Sequence, residues 1–107
     1  MLAHKLDQED AVEILGELEG AGLAAVFGVI PFVVKPFGKS EPHAHQSEET
    51  WIVRAGQGQA VIDERRIALS MGDRLVVPSN ALHHIENDGP APLAILSFWW
   101  KESHVDS

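Results

Sequence analysis

The sequence contains no cysteine and few cationic side chains, and each shortage excludes a class of function. Without a thiol there is no disulfide framework, no thiolate metal site and no cysteine nucleophile. Only 8 Lys and Arg stand against 16 Asp and Glu, which gives a formal net charge of −8. Because nucleic acids and anionic membrane surfaces are bound through clustered cations, we expect neither as a partner.

Long apolar runs are also missing. The apolar runs stay far below the roughly 20 residues that span a bilayer, and the start of the chain has no apolar stretch of the kind found in signal peptides. With 107 residues, 45% of them apolar, the chain can bury one hydrophobic core. These features predict a soluble, cytoplasmic protein that forms one domain over residues 1–107.

The first twenty residues differ in pattern from the rest of the chain. Apolar residues recur there with the spacing of a helical stripe, namely Ala11, Ile14, Leu15 and Leu18. Gly16 lies inside the stripe and weakens a helix by about 1 kcal/mol relative to alanine. The segment therefore predicts a short N-terminal helix, with an edge strand as the alternative.

From residue 23 onward the sequence has the pattern of β structure. Short runs rich in Val, Ile and Phe alternate with turn residues, and the runs cover 25–34, 50–54, 59–62, 67–69, 74–77, 83–86 and 93–100. Pro31 within the first run indicates an edge or a bulge, because proline has no N–H to donate to a neighbouring strand. Short strands at this spacing predict an all-β sandwich or barrel.

Three histidines and a carboxylate form a candidate metal site: His43, His45, Glu49 and His83. Alternate side chains of a strand share a face, so His43 and His45 are expected to point the same way, about 6.5 Å apart. Two imidazoles at that spacing can reach one zinc-like ion at about 2.0–2.1 Å. An isolated His-x-His pair is more often two surface histidines than a metal site, and Glu48 competes with Glu49 as the carboxylate.

Two segments carry an ordered pattern of glycines, histidines and a carboxylate. The first contains Gly38, His43, His45, Glu49 and Gly56, and the second contains Gly72, Pro78, His83 and Asn87. Together they resemble the two motifs of the cupins. Gly38 lies one residue closer to the histidine pair than is usual, and Asn80 stands where the family has glycine. We expect Asn80 to keep the turn, because Asn tolerates a positive φ better than most residues.

The resemblance covers residues 23–100 and implies a double-stranded β-helix, a cupin or jelly-roll barrel around a cavity that opens at one end. It also implies that His43, His45, Glu49 and His83 hold one divalent transition metal and leave one or two positions to water or substrate. The match favours Glu49 over Glu48. Imidazole and carboxylate ligands suit Fe, Mn, Ni, Co, Cu or Zn and do not select among them.

Strand alternation outlines the predicted cavity wall. Trp51 and Val53 share the face of Glu49, and Ile85 shares the face of His83, so these three are expected to line a substrate pocket. Asn87 matches the asparagine of the family motif. We interpret it as a strand-end residue that supports the metal ligands from behind rather than as a catalyst.

These features favour a metal-dependent enzyme acting on a small chelating carbonyl, enol or sugar-like substrate, with dioxygenase, isomerase or dehydratase-like chemistry. Glu49 is a hypothetical proton carrier. The alternative is a module that binds or senses a sugar-like ligand without catalysis, and a barrel without a metal is a third interpretation. Outward Ile52, the pair Trp99 and Trp100, and the apolar run 25–34 also predict a homodimer.

Overall fold

The structure is a computed structural model that describes residues 12–16, 18–21 and 25–102. Every regular element among them is a strand, so this part of the chain contains no helix that would cross a membrane. The strands are β1 Val12–Ile14, β2 Leu18–Ala21, β3 Ala25–Val34, β4 Glu48–Ala55, β5 Gln57–Ile62, β6 Arg65–Ser70, β7 Arg74–Val77, β8 His83–Glu86 and β9 Leu93–Glu102. The predicted all-β class is confirmed.

The N-terminal segment forms strands, so the predicted helix is wrong over the described residues and the edge-strand alternative holds. β1 pairs antiparallel with β3, with Val12 opposite Val34 and Ile14 opposite Phe32. Val12 and Ile14 alternate as a strand requires, and Gly16 follows them where a helix would need a better helix former. Pairing with the ten-residue β3 outweighs the weak helical spacing. Ala11, the first residue of the predicted stripe, lies outside the described residues.

Two antiparallel sheets enclose one core. The larger sheet has the order β1-β3-β9-β4-β7, with β2 also paired to β3, and the smaller sheet has the order β6-β5-β8. Side chains from both sheets form a single hydrophobic cluster, made of Val34, Trp51, Val53, Ala60, Ile62, Leu69, Val77, Ala81, Ile85, Leu93 and Ile95. One cluster shared by two facing sheets is the arrangement of a sandwich or barrel.

Pro31 lies in an interior strand, at the one place where its missing N–H does no harm. β3 pairs with β9 on one side and with both β1 and β2 on the other, so the predicted edge position is wrong and the alternative of a bulge holds. Four residue steps from Ile14 to Leu18 match three steps on β3, so the extra residue lies opposite Pro31. The Leu15 N–H donates to the Pro31 carbonyl at 2.9 Å, which shows that the polar atoms of Pro31 face the β1–β2 side. Because β1 ends at Ile14 and β2 begins at Leu18, Pro31 lies where the regular ladder on this side of β3 is interrupted, and a missing N–H costs little there.

The turn before β8 keeps its shape without the glycine of the family motif. Asn80 has a φ of 63° in the left-handed region, as the sequence predicted for a residue in place of glycine. Its N–H donates to the His45 carbonyl at 2.7 Å, and the Ser79 hydroxyl donates to the Gln46 carbonyl at 2.5 Å. This turn therefore holds the segment that carries the histidine pair against the start of β8.

Candidate metal centre

The histidine pair lies on an irregular segment instead of the predicted strand, and both His43 and His45 line the same cavity, in agreement with the prediction that they point the same way. Residues 38–47 run beside β8 through two isolated bridges, Lys39 to Glu86 and His43 to His83. The four steps from Lys39 to His43 match only three steps from Glu86 to His83 on β8. One extra residue therefore bulges out of the segment between the two bridges. Such a bulge redirects the side chains that follow it.

The same pairing brings the two motifs together. The His43 N–H donates to the His83 carbonyl at 2.9 Å, and the His83 N–H donates to the His43 carbonyl at 2.8 Å. Nearby, the Ile85 N–H donates to the Ser40 hydroxyl at 2.8 Å, so a side chain replaces a backbone partner where the bulge interrupts the ladder. The backbone therefore places the ring of His83 beside the segment that carries the other histidines.

Three of the four predicted ligands converge. His45 Nε2 lies 3.0 Å from Glu49 Oε2, and His83 Nε2 lies 4.0 Å from the same oxygen. One ligand atom from each of the three residues lies within 4.8 Å of the other two. These separations have the scale of a coordination sphere whose bonds are about 2.0–2.2 Å long.

His43 and Glu48 occupy different positions from this cluster. His43 is exposed and lines the cavity beside the cluster, but its ring nitrogens are not part of the group that lies within 4.8 Å. Glu48 is exposed and lies opposite Trp100 in the β4–β9 pairing, whereas Glu49 is partly buried and faces the cavity. Of the two adjacent carboxylates, the structure places only Glu49 at the histidines.

Backbone carbonyls orient both imidazoles of the cluster. His45 Nδ1 lies 2.9 Å from the Ser47 carbonyl, and His83 Nδ1 lies 3.0 Å from the Ala81 carbonyl. A carbonyl only accepts, so each Nδ1 donates to its carbonyl, and each Nε2 is left to face Glu49 Oε2. Burial lowers the pKa of His83 below its ordinary value, against the raising effects of the Ala81 carbonyl and Glu49. The ring therefore keeps a free lone pair at neutral pH.

Two donors hold the other oxygen of Glu49. The Trp51 indole N–H and the Ser97 hydroxyl both donate to Glu49 Oε1, the latter at 2.9 Å. Oε2 is left to face the two Nε2 atoms, so three potential ligand atoms point toward one another. A nitrogen–oxygen donor set of this kind fits a divalent transition metal.

Ser97 is a site residue that was not predicted from the sequence. Strand alternation indicates it, because Ser97 is the one polar residue among 93–100 and shares the inward parity of Leu93 and Ile95. The structure shows Ser97 3% exposed on β9, with its hydroxyl on Glu49. A buried serine in an apolar strand is a general signal for a residue that holds another polar group.

We expect Ser97→Ala to weaken metal affinity about tenfold or more while the fold persists, because losing a hydrogen bond behind a ligand typically costs about 10–100-fold. Competition against a chromophoric chelator measures the change. Ser97→Thr keeps the hydroxyl and should restore most of the affinity, which a purely steric role of the serine would not produce. Equal affinity in wild type and Ser97→Ala would refute this role.

The cluster lies in a cavity of about 650 Å³. Trp51 and Ile85 line it, as the strand alternation predicted, whereas Val53 is 1% exposed and belongs to the hydrophobic core instead of the wall. Trp51 packs edge-on against the His83 ring with centroids 5.5 Å apart, and against Phe32 with centroids 6.4 Å apart. The cavity therefore combines a polar cluster with an aromatic wall.

Asn87 acts on the loops behind the cavity. It is 1% exposed, and its amide group donates to the carbonyls of Val34, Lys35 and Ala91 at 3.0, 3.3 and 2.8 Å. Its side-chain oxygen accepts from the Gly89 N–H at 3.1 Å. These bonds tie the end of β3 to the loop before β9, and they reach carbonyl groups instead of the metal-site histidines.

The chain also matches known proteins. The family model Cupin_2, described as a cupin domain, matches residues 32–99. Mannose-1-phosphate guanylyltransferase of Escherichia coli is 35% identical over 72 residues, which cover 65% of this chain. The matched region is only 15% of that enzyme's own length. This match therefore concerns a cupin-sized part of a much longer protein.

Solved structures share the fold. A Cupin 2 conserved barrel domain protein from Salinispora arenicola superposes with a TM-score of 0.69 at 24% identity, covering 94% of this chain and 89% of that one. A putative sugar phosphate isomerase from Acidithiobacillus ferrooxidans superposes with a TM-score of 0.62 at 26% identity, covering 70% of this chain and 50% of that one. These superpositions confirm the predicted cupin barrel.

Proposed function

Because this chain belongs to the Cupin_2 family of cupin domains, we propose that it is a metal-dependent enzyme acting on a small chelating molecule. The observation that carries the proposal is the convergence of Glu49 Oε2 with the Nε2 atoms of His45 and His83. His43, beside the cluster on the cavity wall, is the proposed fourth ligand. The ion is one of Fe, Mn, Ni, Co, Cu or Zn.

When bound, such an ion supplies Lewis-acid chemistry that polarises a carbonyl or enol oxygen of the substrate. The chain's own residues exclude water and orient the carboxylate. Trp51 and Ile85 present apolar surface that excludes water from the reacting atoms. Trp51 and Ser97 hold Glu49 in a fixed orientation through Oε1, which leaves Oε2 to face the ion. We propose Glu49 as the proton carrier on the condition that its bond to the ion is loose enough for Oε2 to take up a proton.

The comparison proteins support a small-molecule substrate. The Acidithiobacillus neighbour carries the name of a putative sugar phosphate isomerase, a reaction that moves protons next to a carbonyl group. This chain spans half of that neighbour, so the name supports the reaction class rather than the substrate.

Metal content and a turnover screen test the proposal together. Protein purified without a His-tag should contain close to one equivalent of a transition metal by elemental analysis. The reconstituted protein should then convert at least one member of a panel of enolisable carbonyl compounds and uronic sugars. Absence of metal uptake by a folded, tag-free protein would overturn the proposal.

A second candidate is a module that binds a small ligand without turning it over. The hydroxyls of Ser40 and Ser97 and the indole N–H of Trp51 already have partners within the protein, so this part of the cavity wall presents few unengaged acid–base groups. If ligands raise the melting temperature of the metal-loaded protein and no product forms, the binding function is favoured.

We also propose that the chain forms a homodimer through the outer face of the larger sheet. Phe27 and Trp100 lie opposite each other on β3 and β9, and each is 41% exposed. Apolar neighbours extend the same face, namely Val29, Ile52, Leu96 and Phe98. A continuous apolar sheet face of this kind is typical of a subunit interface.

We expect wild-type protein to sediment as a dimer at micromolar concentration, and Trp100→Glu to raise the dimer dissociation constant at least about 30-fold, since buried tryptophans dominate interfaces. Phe37→Glu is the matched control, because Phe37 is 60% exposed but lies in the turn after β3, away from this face. A monomeric wild type, or equal effects of both substitutions, would contradict the assignment.

A further inference from the structure

Seven of the fifteen residues that line the cavity around the metal centre carry apolar or aromatic side chains. They come from four strands of the larger sheet and one of the smaller, and they are Val12, Ile14, Ile30, Phe32, Trp51, Ile85 and Trp99. Trp99 lies against Gly28 so closely that a Cβ on that glycine would be 2.2 Å from the indole nitrogen. The absence of a side chain at position 28 therefore makes room for an aromatic part of the wall.

Several polar side chains of the wall already have partners within the protein, whereas the exposed Glu41 and His43 line it as well. Ser97 and Trp51 donate to Glu49, Ser40 accepts from the Ile85 N–H, and the Ser47 hydroxyl lies 3.3 Å from His45 Nδ1. A ligand with many hydroxyl groups would lose its hydration on entry and find these partners already engaged. Unpaired polar groups of a buried ligand reduce affinity strongly, so this wall disfavours a polyhydroxylated molecule.

The charges of the cavity wall also restrict which ligands can bind. Glu49 and the exposed Glu41 both line the cavity, and the described lining residues include neither Lys nor Arg. Two carboxylates repel a phosphate or a dicarboxylate at the short distances that a cavity enforces. With one carboxylate among its ligands, a divalent ion keeps one net positive charge. A ligand head group with a single negative charge, such as an enolate or a carboxylate, would balance it.

We propose that the cavity takes a ligand with one chelating head, neutral or singly negative, on an apolar aromatic or branched aliphatic body, in preference to a sugar or a sugar phosphate. The inference rests on the proposed metal-dependent function for the chelating head. The apolar body is argued independently, from the wall. It separates this chain from the substrate named for the Acidithiobacillus neighbour.

Three probes test the inference on the full chain, with and without nickel. 2,4-Pentanedione and 1-phenyl-1,3-butanedione share one chelating head and differ in their apolar body, and fructose 6-phosphate is the sugar phosphate. Calorimetry and the melting temperature report binding without any need for turnover. We expect the phenyl compound to bind the nickel-loaded protein at least about tenfold more tightly than pentanedione. We expect fructose 6-phosphate to leave the melting temperature unchanged.

A pair of substitutions on β3 locates the effect. Ile30→Ser changes the cavity wall, whereas Val33→Ser makes a comparable change at a partly buried residue on the opposite face of the same strand. The phenyl preference should fall several-fold in Ile30→Ser and persist in Val33→Ser. If Ile30→Ser proves too unstable to assay, Ile30→Ala gives the same comparison.

The outcomes separate this inference from the proposed function. Metal uptake together with tighter binding of fructose 6-phosphate than of the phenyl diketone would overturn the inference and leave the metal-dependent function standing. Failure to take up any metal, with the phenyl compound still preferred over pentanedione, would overturn the proposed function and support the apolar cavity. Equal binding of the two diketones to nickel-loaded protein would also overturn the inference.

Discussion

Glu49→Gln is expected to weaken binding of a divalent transition metal at least about 100-fold, more than the loss of a supporting residue behind a ligand costs. The glutamine retains the size of the side chain and its hydrogen bonds from Trp51 and Ser97 to one oxygen. What it loses is the negative charge and one oxygen donor at the position between the Nε2 atoms of His45 and His83. Titration against a chromophoric chelator, supported by elemental analysis, measures the loss.

Glu48→Gln provides the control one residue away. It removes the same charge from the same strand, but Glu48 lies on the outer face of β4 opposite Trp100. We expect its metal affinity to stay within about twofold of wild type, because an exposed carboxylate acts on the site only through screened, longer-range attraction. If both variants lost affinity equally, the contribution of Glu49 would be general electrostatics, and the proposed coordination would be wrong.

Gly56→Ala is expected to destabilise the fold by about 3 kcal/mol or more, through both backbone strain and a steric clash. Gly56 has a φ of 86°, which side chains other than glycine rarely adopt. A Cβ there would also lie 2.3 Å from the Pro92 carbonyl oxygen, a backbone atom that cannot rotate away. Urea unfolding with a common m-value measures the loss.

Gly72→Ala separates these two causes. Gly72 has a similar φ of 93°, but nothing lies within 4 Å of an added Cβ. We expect a loss of about 1–2 kcal/mol there, which is the strain alone. Since about 1 kcal/mol shifts the melting temperature of a domain this size by roughly 4–8 °C, the two variants are easily distinguished. Equal losses would show that the turn around Gly56 adjusts to relieve the contact.

The strands that follow residue 47 were predictable because their signals are local. β7 and β8 match the predicted runs 74–77 and 83–86 residue for residue, with turn residues on both sides. Alternation also placed Trp51 inward, where it is 3% exposed. The N-terminal segment was predicted less well, because Ile14 belongs both to the helical stripe and to the strand alternation with Val12. Contact with a distant β3 decided between them.

The candidate site was predictable in its residue types and less so in its geometry. The two-motif resemblance singled out Glu49 over Glu48, and the structure places Glu49 at the histidines. His43 lines the cavity outside the converging group, because the ladder with β8 stops at His43 and strand alternation no longer fixes where His45 lies relative to it. No feature of the sequence pattern marks the point where this ladder stops.

By itself, then, the sequence determined the all-β class, the turn positions and the kinds of donor atom available, since these follow from local alternation, glycine placement and side-chain chemistry. Only the tertiary structure decided where those atoms point. The imidazoles are turned by backbone carbonyls, and Glu49 is held by a serine 48 positions away along the chain. Such partners meet only when the sheets close, because a hydrogen bond depends on distance in space and not on separation along the chain.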